Sequence, residues 1–144
     1  MTKIILTGAT GLVGGQVLKT AIADARVTSI VILSRRELDD KSLAGNSKVK
    51  TIIHKDFQRY SPELMEELKD ATACIWCIGG MVKDFPNAAT ARKVQVTYAV
   101  SFAEALRDAG VVPMNFVFCS GAWAERQQDK ELWYLEESRK IKVS

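Results

Sequence analysis

One histidine, three cysteines and no long apolar run set the first limits on this 144-residue chain. His54 has no second ligand at metal-binding spacing, so no metal site is expected. The cysteines are Cys74, Cys77 and Cys119. An odd number without a secretion signal points to reduced thiols and a cytoplasmic chain. Cys74 and Cys77 form a C-x-x-C inside the apolar run from Ala73 to Ile78. On a strand, positions three apart face opposite sides, and no helix start is present to lower a thiol pKa. Buried core thiols are therefore expected. No apolar stretch approaches the roughly 20 residues of a membrane span. Met1-Thr2-Lys3 leads straight into a strand-like run, with no signal-peptide pattern. The net charge is only +3, and the aromatic-basic clusters are short and scattered. Neither a nucleic-acid stripe nor a membrane surface is indicated.

What is present suits one soluble globular domain over residues 1–144, with 47% hydrophobic and 26% charged residues. Strand-like and helix-like segments alternate. Apolar or β-branched runs at Lys3 to Thr7, Thr28 to Leu33, Lys50 to His54, Ala73 to Ile78 and Asn115 to Cys119 read as five strands. Helical spacing runs from Leu12 to Ala23. Ser61-Pro62-Glu63 is a helix start, with serine as N-cap and proline in the first helical position. Leu38 to Ser47 reads as loop or weak helix. Ala91, Val94, Tyr98, Phe102 and Leu106 mark the buried face of a long helix from about Asn87 to Ala109, closed by Gly110. A charged helix is predicted from about Gln128 to Lys142. Strands that read as continuous apolar runs are covered on both faces, so the fold class is α/β, a doubly wound parallel sheet.

The strongest motif is Thr7-Gly8-Ala9-Thr10-Gly11-Leu12-Val13-Gly14, a G-x-x-G-x-x-G that leaves a strand and opens a helix. Gly8 would allow the tight turn, Gly11 the approach of a pyrophosphate, and Gly14 the close packing of helix on strand. The helix-start amides and dipole would then hold the phosphates. After the second strand stands Ser34-Arg35-Arg36, where a carboxylate would bind the ribose 2′-hydroxyl of NAD. A guanidinium suits a 2′-phosphate instead, so Arg35 and Arg36 favour NADP.

This loop resembles the T-G-A-x-G-x-x-G of extended and atypical short-chain dehydrogenase/reductases, especially NmrA-like and related atypical members, small fungal NAD(P)-binding proteins among them. The likeness covers nearly the whole chain. It implies a Rossmann-type fold and a dinucleotide held by Thr7, Gly8, Thr10, Gly11, Leu12, Val13 and Gly14. It further implies that Asp56 and Phe57 contact adenine. Ile78, Gly79 and Gly80 would line the adenine ribose and the nicotinamide side. Val94-Gln95-Val96-Thr97-Tyr98 resembles the family's V-N-V-x-Y, with Gln95 in place of asparagine. Phe118-Cys119-Ser120-Gly121-Ala122 resembles the fifth strand that carries the active-site serine.

The family's catalytic pair is Tyr-x-x-x-Lys, in which lysine binds the ribose and lowers the pKa of the proton-donating phenol. Lys142 best matches that lysine, but Ser138 stands four residues before it. Tyr134 lies one turn earlier still and is followed at the lysine spacing by Ser138. Family members also continue into a sixth strand and a substrate-binding part, whereas this sequence ends at Ser144. An exposed sheet edge, with Trp123, Leu132 and Trp133 nearby, would favour a homo-oligomer. Three functions fit: an NADP(H)-dependent reductase of a small carbonyl compound, a cofactor-binding regulator without turnover, or a non-redox isomerase or cyclase. The catalytic candidates are Ser120, Tyr134 and Lys142.

Overall fold

A computed structural model describes residues 2–111, 114–121, 124–133 and 136–141. Five strands form one sheet: β1 (Thr2–Thr7), β2 (Val27–Ser34), β3 (Val49–Ile53), β4 (Ala73–Trp76) and β5 (Asn115–Phe118). All four pairings are parallel, in the order β3-β2-β1-β4-β5. The chain moves outward one way from β1 to β3 and then crosses back to β4. The order therefore reverses between β1 and β4, and a crevice opens at their carboxyl ends, where ligands of such sheets bind.

Alternation along the strands divides the core in two. One face sends Ile5, Val31, Leu33, Cys74 and Trp76 against α2 (Pro62–Leu68) and α4 (Tyr98–Asp108). The other sends Ile4, Leu6, Ile30 and Ile32 against Leu18 and Ala21 of α1 (Leu12–Ala23). The local signals explain the ends of these helices. Ser61 Oγ accepts from Leu64 N at 3.2 Å, with Pro62 following it. Gly110 takes φ +71° past the end of α4, a conformation that favours glycine. At the C-terminal end of α1, Lys48 Nζ donates to Ile22 O at 2.7 Å and Asp24 O at 2.8 Å. A cation thus meets the negative end of the helix.

Two elements differ from their sequence expectations. The long helix is interrupted: α3 (Ala88–Arg92) leads into a π-helical turn, Lys93–Thr97, before α4 begins. In a regular helix, two successive four-residue steps drift about 80° around the axis. The wider turn absorbs that drift and keeps Ala91, Gln95 and Ala99 buried together. Among the described residues, the expected helix from Gln128 is seen only as α5 (Glu136–Ile141). Before it, Glu125 Oε1 accepts from Gln127 N at 3.0 Å and Glu125 Oε2 pairs with Lys130 at 3.0 Å. Such local side-chain bonds to the backbone compete with helix formation. Trp133 is 94% exposed, Leu132 is half-buried, and Trp123 lies outside the described residues.

Candidate functional site: the crevice at the glycine loop

Packing assigns the loop's glycines two different roles. Gly8 has φ +72°, and a Cβ there would fall 2.5 Å from the carbonyl carbon and oxygen of Cys77. A Cβ on Gly14 would fall 2.0 Å from Gly8 O. Both positions are closed to side chains by the fold itself. Gly11 has an ordinary extended backbone, and its Cβ would meet nothing nearer than Gly8 O at 3.4 Å. The fold leaves that side of the loop open to an incoming group. α1 has neither a side-chain cap nor an acidic residue in its first turn. The amides of Leu12, Val13 and Gly14 thus have no intrahelical acceptor and face the crevice mouth with the positive end of the dipole. Leu12 is 94% exposed and Val13 is also exposed, two apolar side chains held in solvent beside those amides. This arrangement fits a dinucleotide pyrophosphate.

The flanking residues are sorted by the structure as follows. Thr10 is exposed, whereas Thr7 is fully buried, and its Oγ1 has no partner among the described residues. The Thr7 carbonyl accepts from Cys77 N at 3.3 Å, which ties the exits of β1 and β4 together. A pocket of about 490 Å³ beside the loop is lined by Thr10, Gly15, Lys19, Arg36, Glu37 and Asp39, among others. Arg36 reaches this pocket, with its N donating to Ser34 Oγ at 3.3 Å, while Arg35 is exposed and is not part of the lining. Lys19 is the pocket's other cation. Its sequence signal is the four-residue step from Gly15, which puts both on one face of α1.

Asp56 is exposed, and its Oδ1 accepts from Gln58 N at 3.0 Å. The Phe57 side chain faces away from solvent, so a contact of this residue with adenine would fall to its backbone. Phe57 is 2% exposed and sits in an aromatic cluster, edge-on to Trp76 at 6.1 Å and stacked on Tyr98 at 5.9 Å. Its apolar ring stabilises the core more by burial than it would at the crevice.

At the exit of β4, Ile78, Gly79 and Gly80 are half-buried or exposed. Gly80 N donates to Gln95 Oε1 at 3.3 Å, so the buried glutamine bolts this loop to the long helix. That role needed the π-helical turn and was not readable from the substitution alone. Cys119 N donates to Trp76 O at 2.9 Å, which brings the exit of β5 alongside that of β4 and leaves Ser120 exposed at the end of the sheet. Tyr134 and Lys142 lie outside the described residues.

The sheet order, the glycine loop and the crevice at the switch point define a Rossmann-type NAD(P)-binding domain with a reductase-like fold. The chain belongs to the NAD dependent epimerase/dehydratase family, whose sequence profile matches residues 4–137. The resemblance to extended short-chain dehydrogenase/reductases is thereby borne out. It is 42% identical over 76 residues to "Leucinostatins biosynthesis cluster protein T" of Purpureocillium lilacinum, covering 53% of this chain and 27% of that protein. It is 30% identical over 122 residues to "Protein fmp52, mitochondrial" of Emericella nidulans, covering 85% of this chain and 52% of that one. The chain thus spans about half the length, or less, of these relatives. Among solved structures, the KRED1-Pglu enzyme superposes with a TM-score of 0.69 at 14% identity, over 99% of this chain and 64% of the other. Proteins of the fmp52 name from Debaryomyces hansenii and Aspergillus clavatus are likewise called mitochondrial. These names overturn the cytoplasmic placement expected from the cysteine count: reduced thiols reflect a reducing environment, and that is not unique to the cytosol.

Proposed function

We propose that this chain binds NADP(H) and, when active, reduces a small carbonyl compound. One observation carries the reading. Arg36 and Lys19 both line the pocket beside the glycine loop, together with Ala9, Thr10 and Gly15. Two cations in one lining suit the 2′-phosphate that distinguishes NADP from NAD. The same lining holds Glu37 and Asp39, which supports a second reading in which a carboxylate accepts from the ribose hydroxyls of NAD. Calorimetric titration with NADPH and NADH separates the two. The NADP reading expects NADPH to bind more tightly by about 1.5–3 kcal/mol, the scale of a charge-assisted hydrogen bond, and expects Arg36→Ala to remove that margin. Equal affinities, or a preference for NADH, would overturn it.

For the chemistry, the bound nicotinamide supplies the hydride. Ser120, exposed just past β5, would donate a hydrogen bond to the substrate's carbonyl oxygen. Neither Tyr134 nor Ser138 completes the Tyr-x-x-x-Lys spacing with Lys142, and positioned general acid catalysis is worth about 10²–10⁴-fold. Turnover of common ketones and aldehydes is therefore expected to be slow beside clear cofactor binding. A fast NADPH oxidation that vanishes in Tyr134→Phe would make Tyr134 the acid. No turnover with any carbonyl substrate favours a cofactor-binding regulator.

A further inference from the structure

The three cysteines are free, and Cys74 and Cys77 face opposite sides of the sheet, as their three-residue spacing requires. Cys74 is fully buried between the sheet and the helices α2 and α4. Cys77 lies on the opposite face, packed toward the α1 side. Its neighbour is Cys119. The β4–β5 register pairs Trp76 with Phe118, and the ladder continues past the strand ends through Cys119 N to Trp76 O at 2.9 Å. Because Trp76 and Phe118 turn toward α2 and α4, the next residue on each strand turns toward α1. Cys77 and Cys119 thus stand side by side, near enough for Cys119 to act on the Cys77 thiol. Adjacent strands lie about 4.8 Å apart, inside the roughly 4.4–6.8 Å between Cα atoms that a disulfide spans. Both residues are only half-buried.

We propose that Cys77 and Cys119 are an oxidisable dithiol, a modification site that low-molecular-weight disulfides convert to an intramolecular disulfide across the exits of β4 and β5. It is independent of which cofactor the crevice holds. Burial, and then the neighbouring Cys119, push the Cys77 thiol up to about 11, so Cys77 stays protonated near neutral pH. In the first step Cys119, once deprotonated, attacks one sulfur of the oxidant, forms a mixed disulfide and releases one thiolate. Cys77 then gives its proton to solvent and attacks the Cys119 sulfur, releasing the second thiolate. Two protein thiols are oxidised by two electrons, the oxidant is reduced to two thiols, and the two protons lost by the protein end on them. The bond would join backbone that already matters to the crevice. The Cys77 carbonyl abuts Gly8, Ile78 to Gly80 follow Cys77, and Ser120 follows Cys119.

The test incubates the native chain with glutathione disulfide, blocks remaining thiols with iodoacetamide after unfolding, and maps the peptides by mass spectrometry. The expected product has lost two hydrogens, carries a single blocked thiol at Cys74, and yields a crosslinked peptide joining Cys77 to Cys119. In Cys119→Ser the crosslink disappears. Because the map is read on the unsubstituted chain, it does not depend on how a variant folds. A persistent glutathione adduct on one cysteine, a Cys74–Cys77 link, a crosslink between two chains, or no reaction at all would each overturn the proposal.

Discussion

The exits of β1 and β5 open onto the same crevice, yet they are held in different ways. Past β1, the backbone is enclosed. Gly8 lies against the Cys77 carbonyl, Gly14 against Gly8 O, and Gly11 N donates to Gly8 O at 3.0 Å. Past β5, one ladder bond to Trp76 O is followed by exposed Ser120 and Gly121, and a Cβ on Gly121 would meet nothing within 4 Å. The same contrast runs along the strands themselves. β1 is buried from Ile4 to Thr7, while in β5 Val117 is 53% exposed. A loop that must fit a phosphate group closely is built into the core, where packing fixes its shape. Among the described residues past β5, Ser120 and Gly121 are exposed, as residues of functional loops commonly are.

Substitutions at the two exits should therefore separate stability from function. The largest loss of stability is expected for Gly14→Ala. Its Cβ would fall 2.0 Å from backbone that cannot step aside, and overpacking of this kind costs about 3 kcal/mol or more. Thermal unfolding would report it, and an unchanged midpoint would mean that the loop is not held as tightly as its contacts indicate. Lys48→Met comes next. Removing the cation that donates to Ile22 O and Asp24 O should cost about 1–2 kcal/mol by denaturant titration, since it unties α1 at the end away from the crevice. Gly11→Val should leave stability within about 1 kcal/mol, because the fold gives its side chain room, yet abolish NADPH binding in a calorimetric titration. Binding equal to the parent's would dismiss the loop as the pyrophosphate site. The smallest effect on stability belongs to Ser120→Ala, within about 0.5 kcal/mol as for other exposed positions. Cofactor affinity should be unchanged and any carbonyl reduction lost. If Ser120→Ala instead lowered the unfolding midpoint as Gly14→Ala does, the contrast between the two exits would fail.

The parts of this protein that were legible in its sequence are those whose signal is local. Apolar spacing places α1 at Leu12–Ala23, as observed, and Ser61-Pro62 marks the start of α2. Gly8, Gly11 and Gly14 announce the loop because only a strand–turn–helix puts glycines at those steps. Resemblance extended this to the crevice and to Ser120, but it did not show that the Phe57 ring belongs to the core. The position of Arg35 and Arg36 after β2 could not tell Arg36, which lines the pocket, from Arg35, which does not.

By itself, the sequence determined the alternating parallel α/β architecture, the helix starts and the glycine loop. Each is a matter of residues a few positions apart on one strand, turn or helix. Tertiary structure alone decided which side chains meet across the sheet. It paired Cys77 with Cys119 instead of Cys74, set Gln95 against Gly80 through a π-helical turn, and brought Lys19 to the pocket of Arg36. Those meetings depend on strand order and register, and a parallel sheet forms neighbours from segments far apart in the chain. β1 has β4 on one side and β2 on the other, so no local pattern could reveal what stands beside it.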